Sequence, residues 1–155
     1  MKIKWKQLII ALIIPLAVGG VSAILTMGSM DTFKSLEKPP LSPPGWIFPV
    51  VWTILFLLMG FASYLVSLSP KTVEKRRALF IYGLQLIVNF FWSILFFNLE
   101  NYLGAFIWII LLLVLILVTA YDFSKISKLA GRLLIPYILW VLFAGYLNLF
   151  IYLLN

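Results

Sequence analysis

The chain has 155 residues, of which 64% are hydrophobic and 11% are charged, and its mean hydropathy is +1.11. A soluble domain carries about 25% charged residues, so this chain has too few polar side chains to cover a water-facing surface. The composition excludes a soluble globular domain and indicates an integral membrane protein. The net charge of +7 does not indicate a nucleic-acid partner, because the basic residues occupy short connectors between apolar segments.

Five apolar segments are long enough to cross the hydrocarbon layer, for which a helix needs about 20 residues. In chain order they cover residues 6–26, 44–68, 78–99, 102–121 and 133–154. None has a charged residue in its interior. A membrane β-strand would alternate apolar and polar residues, whereas residues 108–118 are apolar without a break. The sequence therefore predicts an all-α bundle of five transmembrane helices that forms a single membrane domain over residues 1–155.

The basic residues are distributed very unequally between alternate connectors. Two of them, Lys34 and Lys38, follow the first segment. The other ten fall on the opposite side of a five-span chain: Lys2, Lys4, Lys6, Lys71, Lys75, Arg76, Arg77, Lys125, Lys128 and Arg132. Because basic connectors stay in the cytoplasm, we expect a cytoplasmic N-terminus and an external C-terminus. The first segment also resembles a signal peptide, with Val-Ser-Ala at 21–23 as a cleavage site, but its length favours a retained helix.

The connector over residues 27–43 is the longest one in the chain. It contains four charged residues and three prolines, and a fourth proline, Pro44, follows it, so it cannot be one regular helix. Long loops in compact domains are commonly functional. We expect this loop to cover the outer end of the bundle as a lid, and a plain tether is the alternative.

Four of the predicted spans carry polar, small or aromatic residues at helical spacing. A buried amide needs a partner in hydrocarbon, and the stripe of Gln85, Asn89 and Trp92 in the third span lies on one helix face. The corresponding stripes are Gly19, Ser22 and Thr26 in the first span, Trp52, Phe56 and Met59 in the second, and Tyr137, Trp140, Ala144 and Asn148 in the fifth. Such stripes either line a ligand cavity or mediate helix packing, and the residues alone leave both open. Trp108 is interpreted as a lipid-facing or packing residue.

The chain contains neither histidine nor cysteine, which excludes disulfides, thiolate nucleophiles and the usual zinc sites. All five acidic residues lie in predicted loops or at helix ends, so no general-base pair is visible. No metal site is predicted.

Three strings carry a specific family resemblance. They are KPPLSPPGWIFPVVWTILFLLMG at 38–60, YGLQLIVNFFWSILFFN at 82–98 and LLIPYILWVLFAGYLNLFIYLLN at 133–155. Together they resemble the translocator protein family, also called tryptophan-rich sensory proteins or TspO/MBR. The resemblance implies five transmembrane helices, a long first loop and, beneath that loop, a pocket for porphyrins, haem or sterols. It also implies a bacterial cell membrane as the location and a homodimer as a possible assembly.

The resemblance further implies a set of ligand-binding residues. They are Ser22, Phe33, Pro43, Trp52, Phe56, Asn89, Trp92, Trp140, Ala144 and Leu147. A planar tetrapyrrole suits a slot between tryptophan rings, with Asn89 as an amide donor. Lys34 and Lys38 either lie near the propionates or are solvated residues of the loop. The resemblance implies no required cofactor, with a porphyrin or haem as the ligand. Metal-free porphyrin is favoured over haem, because without histidine or cysteine a haem iron would have only Met or Tyr as axial ligands.

Three functions remain open at this point. The first is a receptor or sensor that binds tetrapyrroles, the second an enzyme that degrades porphyrin oxidatively or under light through Trp52 and Trp140, and the third a transporter of tetrapyrroles or other lipophilic ligands. Ion-coupled carriers usually keep ionisable residues within their spans, and these spans contain none. Sterol transport is disfavoured because the chain ends without the basic residue of the animal cholesterol motif.

Overall fold

The computed structural model describes residues 2–155 and confirms the predicted fold class. Five helices are long and apolar enough to cross a membrane, and no strand occurs in residues 2–155. The elements in chain order are α1 (Trp5–Thr26), a 3₁₀ turn (Met27–Ser29), α2 (Met30–Lys34), α3 (Ile47–Ser67), α4 (Val73–Ser93), a π-helix (Ile94–Asn98), α5 (Tyr102–Ile126), α6 (Lys128–Leu133) and α7 (Ile135–Leu154). The chain is therefore an integral membrane protein whose membrane-length helices are α1, α3, α4, α5 and α7.

Two helices extend beyond the predicted limits into polar sequence. Helix α4 begins at Val73 rather than at 78, because the Thr72 hydroxyl accepts a hydrogen bond from the Lys75 amide at 3.1 Å and caps the helix. Helix α5 continues to Ile126 rather than ending at 121. The predicted limits were those of the apolar runs, whereas a helix ends where capping groups satisfy its free backbone groups.

The connector after α1 is partly helical. Residues 27–34 continue α1 through the 3₁₀ turn and α2, and only residues 35–46 are irregular. The prolines that break helices begin at Pro39, which explains why the first part of this segment stays helical. The irregular part runs along α7: Tyr146 donates its hydroxyl proton to the Pro40 carbonyl at 2.8 Å, and the Asn155 amide pairs with both backbone groups of Glu37.

Successive membrane helices are antiparallel. Helix α1 packs mainly on α3, α4 on α5, and α7 on α5. One end of the bundle, here called the basic end, contains the ten basic residues predicted for one side. There the Lys4 amide donates to the Tyr64 hydroxyl at 3.0 Å, and Arg77 pairs with Asp122 at 3.4 Å. The opposite end, here called the loop end, contains residues 27–46 and the α4–α5 connection.

Candidate ligand-binding cavity

A cavity of about 370 Å³ lies inside the loop end of the bundle. Helices α1, α2, α3 and α7 line it, together with α4 and the π-helix that continues it. Its volume falls within the range of small-molecule sites, roughly 300–1,000 Å³. Eight of the ten predicted residues line this cavity: Ser22, Phe33, Trp52, Phe56, Asn89, Trp92, Ala144 and Leu147.

Pro43 and Trp140 are not among the residues that line the cavity. The Trp140 ring instead packs against Phe48, with ring centroids 5.9 Å apart, and it is Phe48 that lines the wall. No group in residues 2–155 accepts a hydrogen bond from the buried Trp140 Nε1. Helical spacing had grouped Trp140 with Ala144, but spacing gives only the direction of a side chain and not what a neighbouring helix places in front of it.

Two stacked aromatic pairs form much of the wall. On α3, the rings of Trp52 and Phe56 stack with centroids 5.6 Å apart, and from α4 into the π-helix, Trp92 and Phe96 stack at 5.3 Å. Phe33 of α2 contacts Phe97 edge-on at 5.3 Å. The cavity therefore presents broad π surfaces to whatever occupies it.

The π-helix places two aromatic residues at the cavity that were not predicted from the sequence. In this segment the Leu99 amide donates to the Ile94 carbonyl at 3.0 Å, and both Phe96 and Phe97 line the cavity. Short π-helical turns are frequent at functional sites. The available signal was the aromatic density of residues 90–98, FFWSILFFN, although its change of helical pitch is not readable from the sequence.

A chain of buried polar groups lies beside the cavity. Asn89 Nδ2 donates to the Tyr137 hydroxyl at 2.7 Å, and that hydroxyl donates to Gln85 Oε1 at 2.7 Å. Gln85 Nε2 in turn points at the Met59 sulfur at 3.8 Å. The Asn89 amide nitrogen is thus bonded to α7, contrary to the expectation that it donates to a ligand. Among residues 2–155 no donor reaches Asn89 Oδ1, which remains open to the cavity.

A second pair of hydrogen bonds fixes the outer part of the wall. Trp92 Nε1 donates to Asn148 Oδ1 at 3.0 Å, and Asn148 Nδ2 donates to the Tyr102 carbonyl at 2.8 Å. These bonds join α4, α5 and α7. The sequence left helix packing and cavity lining as alternative roles for these stripes, and Trp92 and Asn148 have both roles.

Part of the cavity wall is exposed on the outside of the bundle. Gly20 and Ala23 of α1 and Pro49 and Thr53 of α3 line the cavity, and all four are exposed. The cavity therefore opens sideways between α1 and α3, into the surrounding bilayer. The Thr53 hydroxyl donates to the Pro49 carbonyl at 2.7 Å, so this polar group is already satisfied at the opening.

The two lysines of the loop end do not line the cavity. Lys38 Nζ donates to the carbonyls of Lys34 and Leu36, at 3.3 and 3.2 Å, and lies 4.8 Å from the centroid of the Phe33 ring. Lys38 thus holds the connector over the ring that closes the cavity, and Lys34 is exposed.

The chain is similar to proteins of one family. The profile of the TspO/MBR family matches residues 11–154. The tryptophan-rich protein TspO of Chlorobaculum tepidum is 40% identical over 124 residues, which cover 79% of this chain and 78% of that protein. The protein of the same name from Archaeoglobus fulgidus is 38% identical over 151 residues, 96% and 97% of the two chains. The translocator protein of Ovis aries is 36% identical over 118 residues, 75% and 70% of the two chains.

Proposed function

The chain belongs to the TspO/MBR family, and from this premise we propose that it is a membrane receptor or sensor that binds a porphyrin or a related tetrapyrrole in the cavity at the loop end. The observation that carries the proposal is the pair of stacked aromatic walls on α3 and α4, Trp52 with Phe56 and Trp92 with Phe96. A planar ligand with a large π surface gains most from such walls. The opening between α1 and α3 leaves room for a ligand larger than the enclosed volume.

The proposed contacts are the eight predicted residues that line the cavity, with Phe33 closing it from the connector. Pro43 and Trp140 are assigned to the surroundings of the site, Trp140 through its contact with Phe48. The charge distribution supports a cytoplasmic basic end and an external loop end. A bacterial cell membrane is the proposed location.

Transport of the same ligand is the second candidate, and the lateral opening favours it. A cavity lined by exposed residues on α1 and α3 gives a lipophilic molecule a route from the bilayer that avoids water. Retention of the ligand would fit a receptor, whereas passage to the other side would fit a carrier. Flux of protoporphyrin into proteoliposomes separates the two.

A substitution that fills the cavity with a larger side chain tests the proposal directly. Ala144 is buried in the wall, so Ala144→Phe should abolish saturable quenching of tryptophan fluorescence by protoporphyrin in the purified protein. Leu139→Phe is the matched control, because Leu139 lies on the same helix, is exposed and does not line the cavity. Equal protoporphyrin affinity of both variants and wild type would reject the cavity as the site. Illumination of the complex belongs in the same experiment, since a new absorbance band would indicate the porphyrin-degrading activity.

A further inference from the structure

We propose that Asn89 Oδ1 is a fixed hydrogen-bond acceptor in the cavity and that it selects ligands with an N–H or O–H donor. This inference rests on the proposed function in one respect: the cavity must be the ligand site. Asn89 lines the cavity and is 5% exposed. Its amide nitrogen is used by Tyr137. The oxygen on the opposite side of the amide has no partner among residues 2–155 and faces the space that a ligand would fill.

The direction of the Asn89 amide follows from the far end of the polar chain. A thioether sulfur has no proton, so Met59 can only accept, and Gln85 must turn its Nε2 towards it. The Gln85 oxygen then faces Tyr137 and takes the single proton of that hydroxyl. The phenolic oxygen is left as an acceptor, and Asn89 must offer it the amide nitrogen. Reversal of the Asn89 amide would place two oxygens 2.7 Å apart with no proton between them.

The surroundings make this acceptor selective. Tyr137, Gln85 and Met59 are each at most 1% exposed, so water cannot replace their bonds and the amide is held rigidly. A ligand that covers this oxygen without donating to it leaves an unsatisfied acceptor, at a desolvation cost that a ligand donor avoids. A ligand with a lone pair at the same point adds repulsion between two acceptors. Selection therefore comes from both effects, and Tyr137 and Gln85 act as positioning residues.

For a tetrapyrrole this polarity predicts an orientation in the cavity. The inner N–H groups of a closed macrocycle point at its own centre, and an ionised propionate only accepts hydrogen bonds. The carboxylates should therefore face away from Asn89, towards the opening between α1 and α3. The ligand edge nearest Asn89 should be the one without carboxylates.

Carbazole and 9-methylcarbazole test the polarity of the site. Both are flat and apolar, and they differ only in the replacement of the single N–H donor by N–CH₃. Wild-type protein should bind carbazole about three- to tenfold more tightly than 9-methylcarbazole, as expected for one net hydrogen bond. Asn89→Leu should reduce this ratio to about one, and Tyr137→Phe should lower it because the Asn89 amide is then free to turn.

Ser93→Ala is the matched control, because Ser93 lines the cavity one helical turn from Asn89 and its hydroxyl can donate as well as accept. The carbazole ratio should be unchanged in this variant. Loss of the ratio in Ser93→Ala with its retention in Asn89→Leu would overturn the proposal, as would equal binding of the two probes by wild type. If Asn89→Leu does not fold, the N–H stretching frequency of carbazole bound to wild type decides, since it should lie below that in hexane.

Protoporphyrin titration of the same samples separates this proposal from the proposed function. Binding of protoporphyrin without discrimination between the carbazoles rejects the acceptor role alone. Discrimination between the carbazoles without protoporphyrin binding rejects the tetrapyrrole and leaves the acceptor role in place.

Discussion

At the scale of single residues, the tryptophans of this protein have different environments. Trp92 and Trp108 donate their indole N–H groups to the protein, at 3.0 Å to Asn148 Oδ1 and at 2.7 Å to the Val88 carbonyl. Trp108 is therefore a packing residue that joins α5 to α4. Trp52 presents its ring to the cavity and stacks on Phe56. Trp92 also lines the cavity with its ring, but its indole N–H is fixed to Asn148 at the same time.

Trp52→Phe should weaken protoporphyrin binding several-fold, because a smaller ring loses stacking worth on the order of 1 kcal/mol. Trp108→Phe should leave the affinity unchanged and lower the thermal stability, since it removes the bond to Val88. Fluorescence titration and thermal denaturation of both variants measure the two effects. A loss of affinity in Trp108→Phe as large as that in Trp52→Phe would mean that the site lies elsewhere.

Asn89→Leu should lower the melting temperature of the ligand-free protein. If the Asn89 side chain bonded only to a ligand, this substitution would be nearly neutral in the ligand-free protein. The amide instead donates to the Tyr137 hydroxyl and so joins α4 to α7. Its loss leaves the buried phenolic oxygen without a donor, at a cost of about 1 kcal/mol. The stabilisation added by protoporphyrin should be measured in parallel in wild type and variant. An unchanged melting temperature of the ligand-free variant would contradict the structural role of this bond.

At the scale of helices, the pair α1 and α3 is held closely at its centre and opens at the loop end. A Cβ atom on Gly60 would lie 2.7 Å from the Ala11 carbonyl oxygen and 2.9 Å from the Leu12 Cα. Small residues allow membrane helices to approach in this way. Nearer the loop end, Gly19 faces the Phe56 ring, and beyond it the two helices border the opening of the cavity.

Gly60→Ala should destabilise the protein by about 1–3 kcal/mol, because the added methyl group meets backbone atoms of α1 that cannot move independently. Gly83→Ala is its matched control. No atom lies within 4 Å of a Cβ built there, and alanine favours a helix over glycine, so this variant should be at least as stable as wild type. The melting temperatures of the Gly60→Ala and Gly83→Ala variants test the close contact between α1 and α3. Equal melting temperatures would contradict it.

At the scale of the whole molecule, the two ends of the bundle differ in charge and in construction. The basic end contains ten of the twelve basic residues, most of them within the ends of helices. The loop end is held by side-chain amides instead: Asn98 accepts a hydrogen bond from the Ser29 hydroxyl at 2.7 Å and donates to the Leu25 carbonyl at 3.0 Å. The cavity lies at this second end, so the orientation of the chain decides from which side of the membrane it is closest to water.

A reporter fused after Asn155 should be active outside the cytoplasm, because the basic connectors remain inside. A phosphatase that requires export and a fluorescent protein that requires the cytoplasm give opposite signals at this position. As a control, the same reporters inserted after Lys71, in the α3–α4 connector, should give the reverse pattern. A cytoplasmic signal after Asn155 would place the loop end and its cavity on the inner side.

The sequence alone determined the class of the fold, and eight of the ten residues predicted from it line the cavity. Apolar length fixes the number of membrane helices, since each must satisfy its backbone within hydrocarbon, and helical spacing groups side chains such as Gln85, Asn89 and Trp92 on one face. Only the tertiary structure decided which of these faces meet at the cavity. It placed Phe48 rather than Trp140 in the wall, and it bonded the Asn89 nitrogen into the chain of Tyr137, Gln85 and Met59, which leaves the Asn89 oxygen to the cavity. The physical reason is that spacing along one helix gives only the direction in which a side chain points. The side chain that it meets there, and which of the two partners donates in their hydrogen bond, depend on residues from other helices.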